Sequence, residues 1–317
     1  MTDAGPSFGR RIRAAVTLGL LRAAEAEGLN GDEILTRAGL TRADLENPNR
    51  ALPIERHVAV GRAMTERLGA VNAGLRSGAA IYGDPRGALG YSLRRSARHE
   101  LALTRFCRFI AITNDSVRLA CEPQPDGLDL CAEMVSELDA LGHPTEALFA
   151  AWVAIARVVT GTHWAPLRVS FRHRAHGPTS EHLEFFACPV EFGAAESRLS
   201  IGRAALALPI AVSAHPLDAV FRRLRAELSR NPAWHAAKIE PLSAALERGA
   251  LDTGDRIEGT LRDAAAAWLI EDGQPALEVA YLLDYRSVDG VTGRSATVQV
   301  SPNGIPSIAV TAPGPAR

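Results

Sequence analysis

The sequence predicts an α+β protein, with a helical N-terminal lobe and a mixed α/β lobe, followed by a small all-α domain. Apolar residues recur at helical spacing over residues 12–112, alternate at period two over residues 117–132, and return to helical spacing after residue 217. A chain of 317 residues with 47% hydrophobic and 22% charged residues is long and apolar enough to fold as about two domains.

Short helices make up the predicted N-terminal lobe. Asn30 is placed to cap a helix over residues 31–38, and Thr41 opens a T-R-A-D segment that resembles a capping box. Four other helical segments are predicted. The first begins near residue 12 and ends at Gly28, the second begins at Pro53, and the remaining two cover residues 72–80 and 87–112.

The next lobe mixes strands with helices. Alternating apolar residues at 117–121 and 128–132 flank the turn-rich E-P-Q-P-D-G and predict a β-hairpin. Further helices are predicted at 144–161 and 179–187, and further strands at 167–173, 189–192 and 198–201.

A linker at residues 208–216 separates this part from a helical C-terminal region. Helices are predicted there at residues 217–229, 239–248, 257–271 and 275–283. From residue 290 onward, four glycines and four prolines in 28 residues predict a loop, a strand fragment such as TVQV, or a disordered tail.

Composition excludes several classes of protein. No apolar run approaches the roughly 18 residues of a membrane-spanning helix, and no secretory signal is evident, so we expect a cytoplasmic protein.

Four scattered cysteines do not form a disulfide framework. Cys121 and Cys131 flank the predicted hairpin, where they would either face each other or lie as two small buried thiols. Residues 212–317 contain 11 Lys and Arg against 13 Asp and Glu, without the basic excess typical of nucleic-acid surfaces.

Motifs for phosphate, dinucleotide, zinc and nucleophile-elbow chemistry are absent from the sequence. We therefore predict no cofactor and favour a non-enzymatic role, with catalysis left open. The nearest approach to a metal cluster is His173, His176 and His182 with Glu181 and Glu184 nearby. The predicted placement of these histidines on a strand end and on a helix favours ordinary surface histidines, so no metal site is predicted.

The first 210 residues carry four segments whose order and spacing resemble a known domain. They are LLRAAEAEGLNGDEILTRAGL (20–40), GALGYSLRRSARHELALTRFCRFIAITNDSVRL (87–119), LRVSFRHRA (167–175), and FFACPVEFGA (185–194) followed by LALPI. This pattern resembles the arabinose-binding-like effector domain of AraC-type transcription regulators. The resemblance implies a sensor of small molecules over residues 1–210.

Two helix-turn-helix units follow this domain in the family, and residues 217–290 resemble a degenerate form of them in which only the second unit is recognisable. Within AAAAWLIEDGQPALEVAYLLDYRSVDG (264–290), the residues that match the second unit are Glu278, Val279, Ala280, Leu282 and Tyr285. The sequence departs from the family at two points. Asp284 replaces the glycine of the interhelical turn, and glycines at 290 and 293 stand where the recognition helix would be, so that helix should be weak or missing. Residues 291–317 then form an irregular tail.

Candidate site residues follow from these two regions. Aromatic and polar side chains between the predicted lobes are the candidates for ligand binding, since small-molecule sites are apolar pockets with a few placed polar groups; they are Tyr91, Arg94, Phe106, Trp152, Phe171, Arg172 and His173. Core packing is the competing interpretation for the aromatic members. The candidates for DNA contact follow the matching helix-turn-helix residues and are Arg286, Ser287 and Arg294.

The sequence thus predicts a ligand-responsive, DNA-binding transcription regulator that resembles the AraC type. A second hypothesis is a small-molecule binding protein, or an enzyme recruited from the effector pocket, with DNA binding lost. The expected partners are a small-molecule effector and DNA. Regulators of paired sites commonly form dimers, which adds a homodimer to the partners to be tested.

Overall fold

A computed structural model of the chain describes residues 10–47, 50–68, 72–82, 87–211, 214–232, 234–252, 255–285, 289–292, 296–300 and 306–310. These residues divide into two compact units. The first unit falls within residues 1–85 and 97–211, and the second within residues 86–96 and 212–317. No helix in the described ranges is long and apolar enough to cross a membrane.

The N-terminal part is helical, with one pair of short strands. Its elements, in chain order, are β1 (Arg11–Arg13), α1 (Ala14–Ala26), α2 (Gly31–Arg37), α3 (Ala43–Glu46), β2 (Ala51–Pro53), α4 (Ile54–Leu68), α5 (Ala73–Tyr82), α6 (Gly87–Arg94) and α7 (His99–Thr113). Asn30 caps α2 as predicted, because its side chain accepts hydrogen bonds from the backbone N–H groups of Asp32 and Glu33. Residues 11–13 pair with β2, so α1 begins at Ala14, two residues later than its periodicity predicts.

A five-stranded sheet forms the second part of the first unit. Its elements are β3 (Val117–Gln124), β4 (Gly127–Met134), α8 (Ser136–Asp139), α9 (His143–Thr160), β5 (Arg168–Phe171), α10 (Ser180–Phe186), β6 (Val190–Phe192), β7 (Ser197–Gly202) and α11 (Arg203–Leu206). The strand order is β3-β4-β7-β5-β6, and all neighbours are antiparallel except β5 and β6. The predicted hairpin is β3 and β4, and this mixture of helices with an antiparallel-rich sheet confirms the α+β fold class.

Helix α9 packs closely against α5 in the first unit. A Cβ added at Gly74 would lie 2.3 Å from the carbonyl oxygen of His143, and one added at Gly78 would lie 2.1 Å from that of Ala147. Two glycines four residues apart therefore let the two helix backbones approach more closely than any side chain would allow. On its other side α9 reaches the sheet, where the ring centroids of Phe149 and Phe171 are 5.7 Å apart in the core.

The second unit consists of α6 and the C-terminal elements. These are α12 (Pro216–Arg230), α13 (Ala236–Glu247), α14 (Gly259–Glu271), α15 (Ala276–Leu282), α16 (Asp289–Thr292) and the antiparallel strands β8 (Ala296–Val300) and β9 (Pro306–Val310). Tyr281 on α15 is fully buried and donates a hydrogen bond of 2.9 Å to the hydroxyl of Ser92 on α6. The C-terminal stretch predicted as loop, strand fragment or tail thus contains a pair of strands.

The predicted helical run over residues 87–112 is two helices rather than one. Arg98 has an extended backbone and forms an isolated β-bridge with Pro209, which ends the helical path between α6 and α7. The two helices consequently belong to different compact units. Periodicity of apolar residues alone could not show this break, because the same spacing continues on both sides of it.

The cysteines of the hairpin do not lie opposite each other. Cys121 pairs with Leu130 in the β3–β4 register, and Cys131 pairs with Ala120. The Sγ atom of Cys121 instead lies 3.8 Å from that of Cys107 on α7. All four cysteines are free thiols.

The close approach of α5 and α9 generates a testable prediction. Gly78→Ala should lower the free energy of unfolding by at least about 2 kcal/mol, because the new methyl group meets a helix backbone that cannot move aside. Urea denaturation followed by circular dichroism measures the change.

Gly61→Ala on α4 is the matched control for this substitution. A Cβ at residue 61 would make only ordinary contacts, at 3.7 Å from Leu141 and 3.9 Å from Leu20. The control should raise the free energy of unfolding by up to about 1 kcal/mol, because it removes a glycine from a helix interior. Equal effects of the two substitutions would contradict this account of the packing.

Candidate functional site

A cavity of about 120 Å³ lies within the first unit. Its wall is formed by α1, α4, α5, α7, α8 and α9 together with the ends of β3 and β4. Most of the lining side chains are apolar, such as Leu20, Met64 and Ile110. A mostly apolar cavity with a few polar groups is the usual form of a small-molecule site, which makes this cavity the candidate effector site.

His57 of α4 supplies a polar group at the cavity wall. It falls on the apolar face of its helix, three residues after Ile54 and four before Gly61. Its Nδ1 lies 3.0 Å from the hydroxyl oxygen of Thr17 on α1. Burial lowers the pKa of His57 to about 4, so the ring is uncharged at neutral pH.

Beside the cavity, three histidines lie close to one buried carboxylate, and the ring of a fourth histidine packs against two of them. We call this the histidine–glutamate cluster; it consists of His143, His173, His176, His182 and Glu146. Glu146 Oε1 lies 3.5 Å from Nε2 of both His173 and His182, and Oε2 lies 3.7 Å from Nδ1 of His143. The rings of His173 and His176 stack at 5.2 Å.

The charge of Glu146 is held inside the protein by its histidine neighbours. Desolvation raises the pKa of this carboxyl, but the histidine nitrogens that lie 3.5–3.7 Å from its oxygens favour the charged form, outweigh burial and lower the pKa to about 2. The second carboxylate oxygen, Oε2, has no hydrogen-bond partner among the described residues, and neither ring nitrogen of His182 has one. In the part of the chain that the structure describes, no group of three His, Cys, Asp or Glu side chains is arranged to hold a metal ion.

His143 connects the cavity with the histidine–glutamate cluster. It is the first residue of α9, lines the cavity, and lies next to Glu146. Gly142 precedes it with a φ of 71°, and a Cβ there would lie 2.6 Å from the rings of His173 and His176. Glycine at residue 142 therefore permits both the backbone turn and the close packing of the histidine rings.

The seven residues predicted to bind a ligand lie in several places. None of them lines the cavity of the first unit, although the structure describes all seven. Phe106 and Trp152 pack together in the core with ring centroids 5.1 Å apart. Phe171 packs 5.3 Å from His173, and Arg172 is exposed with its guanidinium 3.5 Å from Asp139.

Tyr91 and Arg94 are on α6 in the second unit. Tyr91 is buried against His215 and Phe221, with ring centroids 5.2 Å apart in both pairs, and it lines a cavity of about 790 Å³ between α6, α12 and α13. Arg95 and Asp218 form an ion pair of 2.6 Å in the same cavity. Arg94 is partly exposed.

The sequence reasoning did not select the residues that line the cavity of the first unit. His57, Gly61 and Ser77 are polar or small residues on helices whose sequences are typical of core helices, and Asn114 directly follows such a helix. A usable signal was present at His57, since a histidine on the apolar face of an amphipathic helix faces the interior. Large aromatic residues, by contrast, fill the core itself.

Helices α14 and α15 cover the residues that resemble the first two helices of the second helix-turn-helix unit. Asp284, which follows α15, has a φ of 55°, and so adopts the left-handed conformation that glycine would adopt at this turn without strain. Among the described residues that follow, Asp289–Thr292 are helical and form α16. The predicted DNA-contacting residues Arg286, Ser287 and Arg294 lie outside the described residues.

Comparison with known families identifies the first unit. The family model described as the arabinose-binding domain of AraC transcription regulator, N-terminal, matches residues 28–210, more than half of the chain. The chain belongs to this AraC regulator family. The histidine–glutamate cluster and all described wall residues of the cavity except Val16 and Leu20 lie within the matched residues.

The crystal structure of the transcriptional regulator CdpR from Pseudomonas aeruginosa is similar with a TM-score of 0.43 and 16% sequence identity, over 86% of this chain and 77% of that chain. No curated protein matches this chain at a significant level.

The buried neutral histidines predict a stability that depends on pH. His57 and His99 are both buried, and burial lowers the pKa of each to about 4. The unfolded chain binds protons at these residues below about pH 6.5, whereas the folded protein does not, so stability present at neutral pH is lost as the pH falls from 6.5 to 4. Each histidine should contribute roughly 3 kcal/mol to this loss.

His57→Asn tests the contribution of one histidine, because asparagine can still bond Thr17 but does not titrate. Between pH 6.5 and pH 4 the variant should lose roughly 3 kcal/mol less of its free energy of unfolding than the unmodified protein. Urea denaturation at several pH values gives the comparison. The same pH dependence in both proteins would contradict burial of a neutral His57.

The left-handed conformation of Asp284 gives a prediction for the second unit. Asp284→Val should lower the free energy of unfolding by about 1–2 kcal/mol relative to Asp284→Gly, because a β-branched side chain strains this conformation. Both variants lack the aspartate side chain, so thermal or urea denaturation of the pair isolates the backbone effect. Equal stability of the two variants would show that the turn does not require a positive φ.

Proposed function

We propose that the chain is an effector-responsive transcription regulator in which the first unit binds a small molecule and the second unit binds DNA. The observation that carries the proposal is the largely apolar cavity within an AraC-type effector domain. The small-molecule effector and the DNA site are the partners that this function requires.

The coupling between effector and DNA follows from binding thermodynamics. An effector changes DNA affinity only if it binds one conformation of the protein more tightly than another. DNA must then change the affinity for the effector by the same factor. Effector binding and DNA binding are therefore to be measured on the full-length protein.

Arg286, Ser287 and Arg294 remain the residues we propose for DNA contact, since they follow the matching helix-turn-helix residues. Arginine side chains near the N-terminus of a recognition helix reach phosphates or base edges. Arginines on α12 are weaker candidates, because Arg223 pairs with Asp272 at 2.8 Å and Arg225 pairs with Glu240 at 2.5 Å.

A second candidate function is a small-molecule binding protein, or an enzyme recruited from the effector pocket, that no longer binds DNA. The specific observation in its favour is the presence of Gly290 and Gly293 where the recognition helix would lie, because each glycine costs a helix roughly 1 kcal/mol relative to alanine. A weak recognition helix would present few fixed side chains to the major groove.

DNA binding by the full-length protein distinguishes the two candidates. Fluorescence anisotropy with DNA from upstream of its own gene, and with a scrambled sequence of equal composition, measures specific binding at about 50–200 mM salt. The regulator predicts preference for the upstream DNA and a steep decrease of affinity with salt. Arg286→Ala combined with Arg294→Ala should reduce the salt slope by about two.

Arg50→Ala is the matched control, because Arg50 is an exposed arginine of the first unit that pairs with Asp44. It should leave both affinity and salt slope unchanged. Equal binding to the upstream and scrambled DNA under all conditions would refute the regulator proposal and support the second candidate.

A further inference from the structure

The described wall of the first-unit cavity contains no Asp, Glu, Lys or Arg side chain, and its histidines are His57 and His143. A charged ligand would leave water for a mostly apolar environment without a carboxylate, ammonium or guanidinium group to pair with it, and the free-energy cost of this transfer is far larger than the gain from apolar contacts. The cavity therefore selects against carboxylates, phosphates and amines.

Most polar side chains of the wall already have hydrogen-bond partners. The hydroxyl groups of Thr65 and Ser77 donate to the carbonyl oxygens of Gly61 and Gly74, at 2.8 and 3.1 Å. Thr113 donates to the carbonyl oxygen of Ile110 at 3.0 Å, and Asn114 Oδ1 accepts from the backbone N–H of Ser116 at 3.0 Å. A ligand with many hydroxyl groups would leave several of them without partners, and each buried unpaired hydroxyl is unfavourable.

His57 is the polar group best placed to anchor a ligand. Its Nδ1 is taken by Thr17, so Nε2 is the ring nitrogen that remains for a ligand. Because the ring is neutral, it offers one hydrogen bond and no charge.

The size of the cavity limits the ligand further. At about 120 Å³ it is close to the roughly 150 Å³ of an apolar cavity that takes up benzene. A single ring or a short aliphatic chain fits this volume.

We propose that the effector is a small, uncharged and largely apolar molecule that bears one hydrogen-bonding group, held by Nε2 of His57, and that it is not a sugar. This inference rests on the proposed function for the identity of the site. It departs from the sugar for which the matched family is described, because most polar side chains of the described wall are already bonded within the protein and a pentose needs several hydrogen-bond partners.

Four probes of similar size test the ligand class on the full-length protein at neutral pH. They are phenol, benzene, benzoate and L-arabinose, and their binding is measured by isothermal titration calorimetry and by ligand-observed NMR. Phenol should bind about 5-fold more tightly than benzene because of one net hydrogen bond. Benzoate and arabinose should bind at least about 10-fold more weakly than phenol.

Two variants locate the bound probe. His57→Asn keeps the partner of Thr17 but lacks an atom at the position of Nε2, so phenol affinity should fall to that of benzene while benzene affinity is unchanged. Gly61→Leu places a large side chain in the cavity and should abolish binding of both probes. Gly61→Ala is the control at the same residue and should keep most of the binding affinity, because its methyl group is small.

The outcomes separate this inference from the proposed function. Arabinose or benzoate binding as tightly as phenol would overturn the inference, and so would a preference for phenol that survives in His57→Asn. Binding of phenol that Gly61→Leu abolishes, without any change in DNA affinity, would support the ligand class and refute the proposed regulation.

Discussion

The backbone contact between α5 and α9 is the constraint on which the first unit depends. Gly74 and Gly78 on α5 face the carbonyl groups of His143 and Ala147 at distances that exclude a Cβ atom. Ala73, Gly74 and Ser77 of α5 and His143, Pro144 and Ala147 of α9 all line the cavity, so this contact joins two parts of its wall. Glu146 lies at the same end of α9 and is buried. One packing interaction therefore helps to position both the cavity wall and the histidine–glutamate cluster.

In the first unit, a buried charged carboxylate lies close to a mostly apolar cavity. Glu146 remains ionised because histidines lie next to its oxygens, whereas the described wall of the neighbouring cavity is mostly apolar and contains no Asp, Glu, Lys or Arg side chain. His143 is common to both. A buried charge is tolerated only with such partners, and its interactions fix the start of α9 at one end of the cavity.

Much of the fold could be predicted from local patterns. The cap at Asn30, the hairpin of β3 and β4, and the helix pair α14 and α15 follow from turn chemistry and periodicity over a few residues. The cavity could not be predicted in this way, because its wall is assembled from six helices and two strands that are distant in sequence. The extended Arg98 and its bridge to Pro209 escaped prediction for the same reason.

The assignment of α6 to the second unit has a consequence for the modularity of the chain. The polypeptide passes between the two compact units at three points, near residues 85, 96 and 211. A single cut after residue 211 would therefore leave α6 behind, and the hydroxyl of Tyr281 would lose Ser92. Each unit is therefore built from two separate segments of the sequence. Exchange of the second unit with that of another regulator requires residues 86–96 to be exchanged together with the C-terminal residues.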